Sequence, residues 1–326
     1  MRKPPSVPEI KAWLKENNPL GLFGGDFSVS DIDPKPWSGH FNFLVAVGEK
    51  KLVLRFKGPE WGDPASGIVD EYEILKAVEK YAVGPRAYFL AENFFGEPAM
   101  IEEYLDGMFM NAASPDEQRE LVAELARFIA KINSMKLPEE ILRRQEKLFS
   151  YERHKRSWAE RLEIAKKNPG AKAWAERIER EIIPKAEKML DEFEHLLEKT
   201  LKDSGPVFVF KSAHVGHCLK TENGFRFLNW EKNGFGDPSF SLAVFLASVQ
   251  KHPRFSEIKK RMVEEYLKER PVPEFAELIE QRLKEREISN LTWVLWAYAN
   301  KKDTRPIKDT GVQERFERAS ELLRHY

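Results

Sequence analysis

Only one cysteine, Cys218, stands in 326 residues. That excludes an internal disulfide and any cysteine-built zinc site, and it fits a reducing, cytoplasmic setting. An excess of one charge is also missing. Lys and Arg number 53 and Asp and Glu number 53, so no global field draws the chain toward nucleic acid or a membrane, and any polyanion site must be a local patch. Long apolar runs are absent: Leu242–Val249 and Leu291–Ala299 fall far short of the ~20 residues that span a bilayer. The opening MRKPPSVPEI puts prolines where a signal peptide needs an apolar segment. Gly21, Gly24 and Gly25 are followed by no Gly-Lys-Ser/Thr and open no helix, so they read as turns. No internal repeat or low-complexity linker is visible. What is plentiful is charge, 33% of residues and rich in Glu and Lys, a composition that points to a heat-loving source.

A chain of this length can bury a large core, as one big domain or two lobes. Helical spacing over Val7–Glu16 is stopped by Asn17-Asn18-Pro19. Phe27–Ile32, Phe41–Val47 and Lys51–Phe56 read as strands, the last two joined by Gly48-Glu49-Lys50. Val69–Tyr81 is an amphipathic helix, and Arg86–Glu92 and Ala99–Tyr104 are strands around a turn at Gly96-Glu97-Pro98. From Pro115 the pattern is helical: Pro115–Met135, Pro138–Lys167, Ala171–Leu201 and, after a central hairpin, Phe240–Lys251, Ser256–Arg270, Phe275–Ala299 and Val312–Arg324. Five strands with one helix, followed mostly by helices, is an α+β, two-lobed order.

Phe208–Pro238 reads FVFKSAHVGHCLKTENGFRFLNWEKNGFGDP. This stretch resembles the catalytic core of the aminoglycoside phosphotransferase and choline kinase-like families, which runs HGDLHPGN, a hairpin, IDWE and GDP. Laid on without a gap, the His-Gly-Asp falls on Phe210, Lys211 and Ser212, and the Asn on His217. The metal-holding Asp falls on Asn229, followed intact by Trp230, Glu231 and Gly236-Asp237-Pro238. Upstream, Trp37-Ser38-Gly39-His40-Phe41-Asn42 resembles the family's glycine turn, and Leu52-Val53-Leu54-Arg55 its strand with a phosphate-binding cation. Glu71 in DEYEILKAV resembles the helix glutamate that orients that cation, and Ile101-Glu102-Glu103-Tyr104 the hinge that carries adenine. Each motif is weak alone, and their shared order is strong. The resemblance implies a protein-kinase-like fold with a five-stranded antiparallel sheet and one helix in a nucleotide-binding lobe over residues 1–104. A mostly helical lobe over 105–326 would carry the catalytic loop and acceptor site. It also implies ATP, met by Ser38, Gly39, Arg55, Lys57, Glu71, Glu102 and Tyr104, and Mg²⁺ in weaker or atypical coordination by His217, Asn229 and Glu231.

Arg55 and Lys57 are two apart on a strand, so both leave one face, where two cations can grip phosphate oxygens or simply meet solvent. Ser212 is no base at neutral pH, and the nitrogen of His217 suits Mg²⁺ poorly. Asn229 keeps an oxygen and loses the charge. His214 and His217 bring imidazoles, poised for proton transfer, into the altered loop, and Lys211 adds a cation. Phosphoryl transfer depends mainly on positioning and charge neutralisation, so the loss of the Asp need not abolish it. A drifted, inactive loop is the competing reading.

From Arg143 to Lys185 there are 13 Lys and Arg against 7 Glu, a net of +6. Arg143, Arg144, Lys147, Arg153, Lys155 and Arg156 crowd its start, with Tyr151, Trp158 and Trp174 interleaved. Such a stripe can follow an RNA backbone with aromatics for stacking, or be a solvated helix pair laced by Glu–Lys/Arg neighbours. Three functions follow: a kinase of a tRNA ribose 2′-hydroxyl, which is the leading expectation; a small-molecule kinase of the aminoglycoside or choline type acting on a small hydroxylated acceptor; and an inactive nucleotide-binding scaffold.

Overall fold

A computed structural model describes residues 5–32, 40–58, 67–300 and 305–326. The chain forms two compact units. The first is Met1–Ala113, Met135–Arg144 and Gly216–Asn233; the second is Ser114–Ser134, Gln145–Val215 and Gly234–Tyr326.

The first unit is built on an antiparallel sheet of β1 (Ser28–Asp31), β2 (His40–Val47), β3 (Lys50–Lys57), β4 (Ala87–Phe94) and β5 (Glu97–Glu103) in the order β1-β2-β3-β5-β4. Period-two alternation gives it two unlike faces. Phe43, Val45, Leu52, Leu54, Phe56, Ala99 and Ile101 pack on one side with Phe23 and with Ile10 and Leu14 of α1 (Val7–Asn17). Phe43 and Phe56 stack there at 5.7 Å, and Phe56 meets Phe94 at 5.0 Å. The register sets Asn42 opposite Arg55, His40 opposite Lys57 and Val53 opposite Glu102, so polar residues share the other face. Helix α2 (Ile68–Val78) brings a buried Glu71 to that face. A small sheet of β6 (Met108–Phe109), β9 (Cys218–Thr221) and β10 (Gly224–Phe227) also belongs to the unit, as does α4 (Glu139–Arg144); Cys218 is fully buried in β9.

The second unit holds α3 (Pro115–Asn133), α5 (Glu152–Lys166), α6 (Lys172–Glu181), α7 (Ile183–Ser204), α8 (Phe240–Ser248), α9 (Phe255–Glu269), α10 (Phe275–Ala299) and α11 (Val312–Leu322). A three-stranded sheet orders β7 (Glu146–Leu148), β11 (Asn233–Gly236) and β8 (Val207–Phe210) as β7-β11-β8. Helix α8 is apolar almost all round and is buried accordingly. Trp158, Leu162, Ile178, Met189, Ile288, Leu291 and Phe316 join α5, α6, α7, α10 and α11 in one core. Among the described residues, no helix is long and apolar enough to cross a membrane.

The α+β order and the five-stranded antiparallel sheet agree with the sequence reading; two long helices do not. The helix expected over Pro138–Lys167 breaks into α4, β7 and α5. Glu146–Leu148 pairs in parallel with Gly234–Gly236, where a Cβ on Gly234 would come within 2.8 Å of Leu148 Cδ1. Close strand approach at a glycine overrides the helical pattern. The helix expected over Ala171–Leu201 divides at Ile182, because Pro184 lacks the N–H that a continuous helix would use and is tolerated only in the first turn of α7.

Candidate functional site

Arg55 is the centre of the first unit. Its side chain is almost entirely enclosed and every nitrogen has a partner. Nε donates to Glu71 Oε2 at 2.9 Å, Nη1 to Asn42 Oδ1 at 3.1 Å, and Nη2 to both His40 Nδ1 at 3.0 Å and Asn229 Oδ1 at 2.6 Å. Strand alternation supplies His40 and Asn42, α2 supplies Glu71, and the segment after β10 supplies Asn229. Burial opposes the guanidinium's charge, but Glu71, Glu102 and Glu231 outweigh it and hold its pKa above the usual value. His40 is driven the other way, to about 2, by burial and then by Arg55 and Lys232. With Nδ1 accepting from Arg55, the neutral ring carries its proton on Nε2, 3.4 Å from Glu231 Oε2. Glu102, buried on the same face, is pushed up to about 8 by desolvation, which Arg55 only partly offsets.

The segment 229–231 is locked from both sides. Trp230 N donates to Glu71 Oε1 at 2.7 Å and its indole Nε1 to Phe227 O at 2.7 Å. A Cβ on Gly84 would sit 2.5 Å from that Nε1, so only glycine admits the buried Trp230. Asn229 itself adopts the left-handed region, φ 67°, which asparagine tolerates better than most residues.

The chemistry of these donors does not fit a bound divalent cation. The Asn229 oxygen, which the family alignment puts at a metal ligand, faces a guanidinium, and Glu231 lies against His40. Among the described residues, no group of three or more His, Cys, Asp and Glu is placed to hold a metal ion. The sequence-based assignment of His217, Asn229 and Glu231 as a metal set is therefore not supported by this arrangement.

In the second unit, the loop after β8 is pinned through its backbone. Phe210 N donates to Ser241 Oγ at 2.9 Å and His214 N to Ser212 O at 2.8 Å. Lys211 pairs with Glu146, whose other oxygen takes Arg153. Burial, and then the charge of Arg286, hold the His214 imidazole below its usual pKa, so it is neutral and able to accept a proton near pH 7. Asp237, fully buried, is paired with Arg282 and takes Ser239 N at 3.0 Å; Tyr151 lies under the same guanidinium at 4.7 Å. In the same unit, Trp158 Nε1 donates to Ser289 Oγ at 2.8 Å, and Ser289 Oγ to Glu285 Oε1 at 2.5 Å. Glu285 also meets His154 Nδ1 at 2.9 Å.

The structure thus brings Arg55, Glu71, Glu102, Asn229 and Glu231 together in the first unit, which also contains His217 and a half-buried Lys57; Lys51 Nζ stands over the Tyr104 ring at 5.4 Å. Lys211, buried Ser212 and His214 belong to the second. Ser38 and Gly39 lie outside the described residues. His40 as a partner of Arg55 was missed, although its alternation with Asn42 on a strand facing Arg55 is the signal that finds it.

The basic stripe is a correction. Arg143 and Arg144 lie in the first unit and the rest in the second. Arg144 pairs with Glu73 at 2.5 Å, Lys155 with Glu152 at 2.8 Å and Asp191 at 2.6 Å, and Lys166 with Glu163 at 2.7 Å and Glu179 at 2.6 Å. Lys147 and Arg156 are exposed. Tyr151 and Trp158, expected to stack on bases, are fully buried core residues, and Trp174 packs on Phe316 at 5.7 Å. The stripe runs through α4, β7, α5 and α6, with many of its cations paired to acids and its aromatics packed inward.

The model of the phosphotransferase enzyme family matches residues 34–278. No curated protein matches the chain significantly. Among solved structures, the chain is similar to a choline kinase from Cryptosporidium parvum, with a TM-score of 0.72 and 15% identity over 98% of this chain and 96% of that one. It is similar to the ethanolamine kinase of Plasmodium vivax, with a TM-score of 0.66 and 13% identity over 95% and 86%. It also resembles a spectinomycin phosphotransferase solved with ADP and spectinomycin, with a TM-score of 0.61 and 13% identity over 98% of each chain. At these identities the likeness establishes the fold, which is kinase-like.

Proposed function

The chain belongs to the phosphotransferase enzyme family, and we propose that it transfers the terminal phosphate of ATP to a hydroxyl of a small molecule. The observation that carries this reading is the buried Arg55–Glu71 pair at 2.9 Å, a cation held on the sheet face that the family devotes to nucleotide phosphates. On this reading Arg55 neutralises phosphate charge while Glu71 fixes its direction, and the strand end at Glu102 and Tyr104 offers backbone groups to the base. Neutral His214 accepts the proton of the attacking hydroxyl, a task Ser212 cannot perform. No step is assigned to a metal.

The small-molecule acceptor replaces RNA as the leading reading. Its support is the choline, ethanolamine and spectinomycin kinases among the similar structures, together with a stripe whose cations are widely paired and whose aromatics are buried. A second reading, nucleotide binding without transfer, is favoured by Ser212 at the position of the family's Asp and by Asn229 facing Arg55.

Calorimetry with ATP and ADP, followed by transfer from γ-labelled ATP to a panel of small alcohols beside tRNA, separates the three. The expected result is nucleotide binding lost in Arg55→Met and label in a small alcohol. Binding without transfer selects the non-catalytic reading. Label in tRNA alone restores RNA, and no binding of any purine nucleotide sinks the proposal.

A further inference from the structure

Helices α5 and α10 pack through Trp158 and Ser289, and on this contact sit two guanidinium groups that, among the described residues, make no hydrogen bond or ion pair to a carboxylate. Arg161 Nη1 donates to Ser289 O at 3.1 Å and to Thr292 Oγ1 at 3.5 Å, both neutral. Arg286, among the described residues, makes no hydrogen bond or ion pair, and its Nε is buried without a partner. Glu285 feels the charge of Arg286 but gives its close contacts to His154 and Ser289, and the buried Asp237 and Glu287 pair with Arg282 and with Arg318 at 3.1 Å and Arg315 at 3.6 Å. Glu146 is already shared by Lys211 and Arg153.

The two arginines feel each other. Burial, then Arg286, lower the Arg161 pKa to about 10; Arg153 adds to the effect, and Glu285 and Glu160 offset only part of it. The same Arg286 depresses His214. Packing two repelling, partly desolvated cations destabilises an empty protein, so their presence is accounted for by something that arrives to pair with them. A guanidinium fork matches the two oxygens of a carboxylate or phosphate, whereas a quaternary or primary ammonium would be repelled.

We propose that Arg161 and Arg286 form an oxyanion-binding pair and that the acceptor hydroxyl is carried by a small molecule bearing a carboxylate or phosphate group, rather than by a cationic amino alcohol. The acceptor assignment rests on the transfer reading above; the anion site does not.

The test uses the full chain without nucleotide, at constant ionic strength set by chloride. Thermal melting and calorimetry are run with inorganic phosphate, glycerate, glycerol 3-phosphate and choline. Anions are expected to raise the melting temperature and choline to leave it unchanged. Arg286→Gln and Arg161→Gln should each weaken anion binding by about tenfold or more. Arg286→Gln should melt no lower than the unsubstituted protein when no anion is present, because Arg286 holds no hydrogen bond or ion pair and its repulsion of Arg161 is removed. A preference for glycerate assigns a carboxylate and one for glycerol 3-phosphate a phosphate ester, and both support the pair. No anion effect, anion affinity unchanged in both variants, or stabilisation by choline alone overturns the site. Displacement of phosphate by tRNA overturns the small-acceptor assignment. Anion binding through both arginines in a protein that transfers nothing from ATP sinks the transfer reading and leaves the site standing.

Discussion

Asp237 shows how a legible residue can have an illegible partner. Gly236-Asp237-Pro238 stands out in the sequence, yet nothing there names Arg282, 45 positions on, as the cation beside it. Burial works against the Arg282 charge and Asp237 overcomes it. Asp237→Asn should therefore cost about 3–5 kcal/mol, the penalty of a buried charge left without its counterion, read as a lower urea midpoint. The double variant with Arg282→Met should recover part of the loss; a double variant as unstable as the single one would show the pair is not what holds α10 there. Arg55 and Glu71 were legible for the opposite reason, because strand and helix motifs mark both ends of the pair. Arg161 and Arg286 were hidden because a missing partner leaves no trace in a string of letters.

Elements were legible where their signals are local. Ser114-Pro115-Asp116-Glu117 caps α3: Glu117 N donates to Ser114 Oγ at 3.3 Å and Ser114 N to Glu117 Oε2 at 2.8 Å. Ser114→Ala should lower stability by about 1 kcal/mol in chemical unfolding, with no change in any nucleotide affinity. Elements failed where pairing is long-range. Glu146–Leu148 is written like a helix and becomes a strand because Gly234 and Gly236 offer it an edge. The turn between β4 and β5 falls at Phe95 and Gly96, and Glu97 and Pro98 already belong to β5.

Across the whole molecule, the order of several weak motifs carried the family, whereas net charge misled. A count of +6 between Arg143 and Lys185 omits partners such as Glu73 and Asp191 that lie outside the window. Global stability should also carry the mark of one buried acid. Glu102 titrates near 8 when folded and 4.5 when free, so the folded state keeps a proton the unfolded chain releases. Its contribution is complete below 4.5 and is lost as pH climbs to 8, at up to about 1.4 kcal/mol per pH unit. Glu102→Gln should flatten that limb, making the variant the more stable protein at roughly pH 8 in urea titrations. Parallel pH profiles for the two proteins would count against it.

The sole thiol turns this protein into its own clock. Cys218 is buried in β9, its carbonyl takes Met110 N at 2.9 Å, and burial holds its pKa far above that of a free thiol. No other sulfhydryl competes for a reagent. Alkylation in native buffer can then proceed only through excursions that expose β9, and its rate multiplies the chemical rate of a free cysteine by the fraction of time spent open. Protection on the order of a thousandfold or more is expected. Its decay with added urea would show whether the first unit opens alone or together with the rest of the chain.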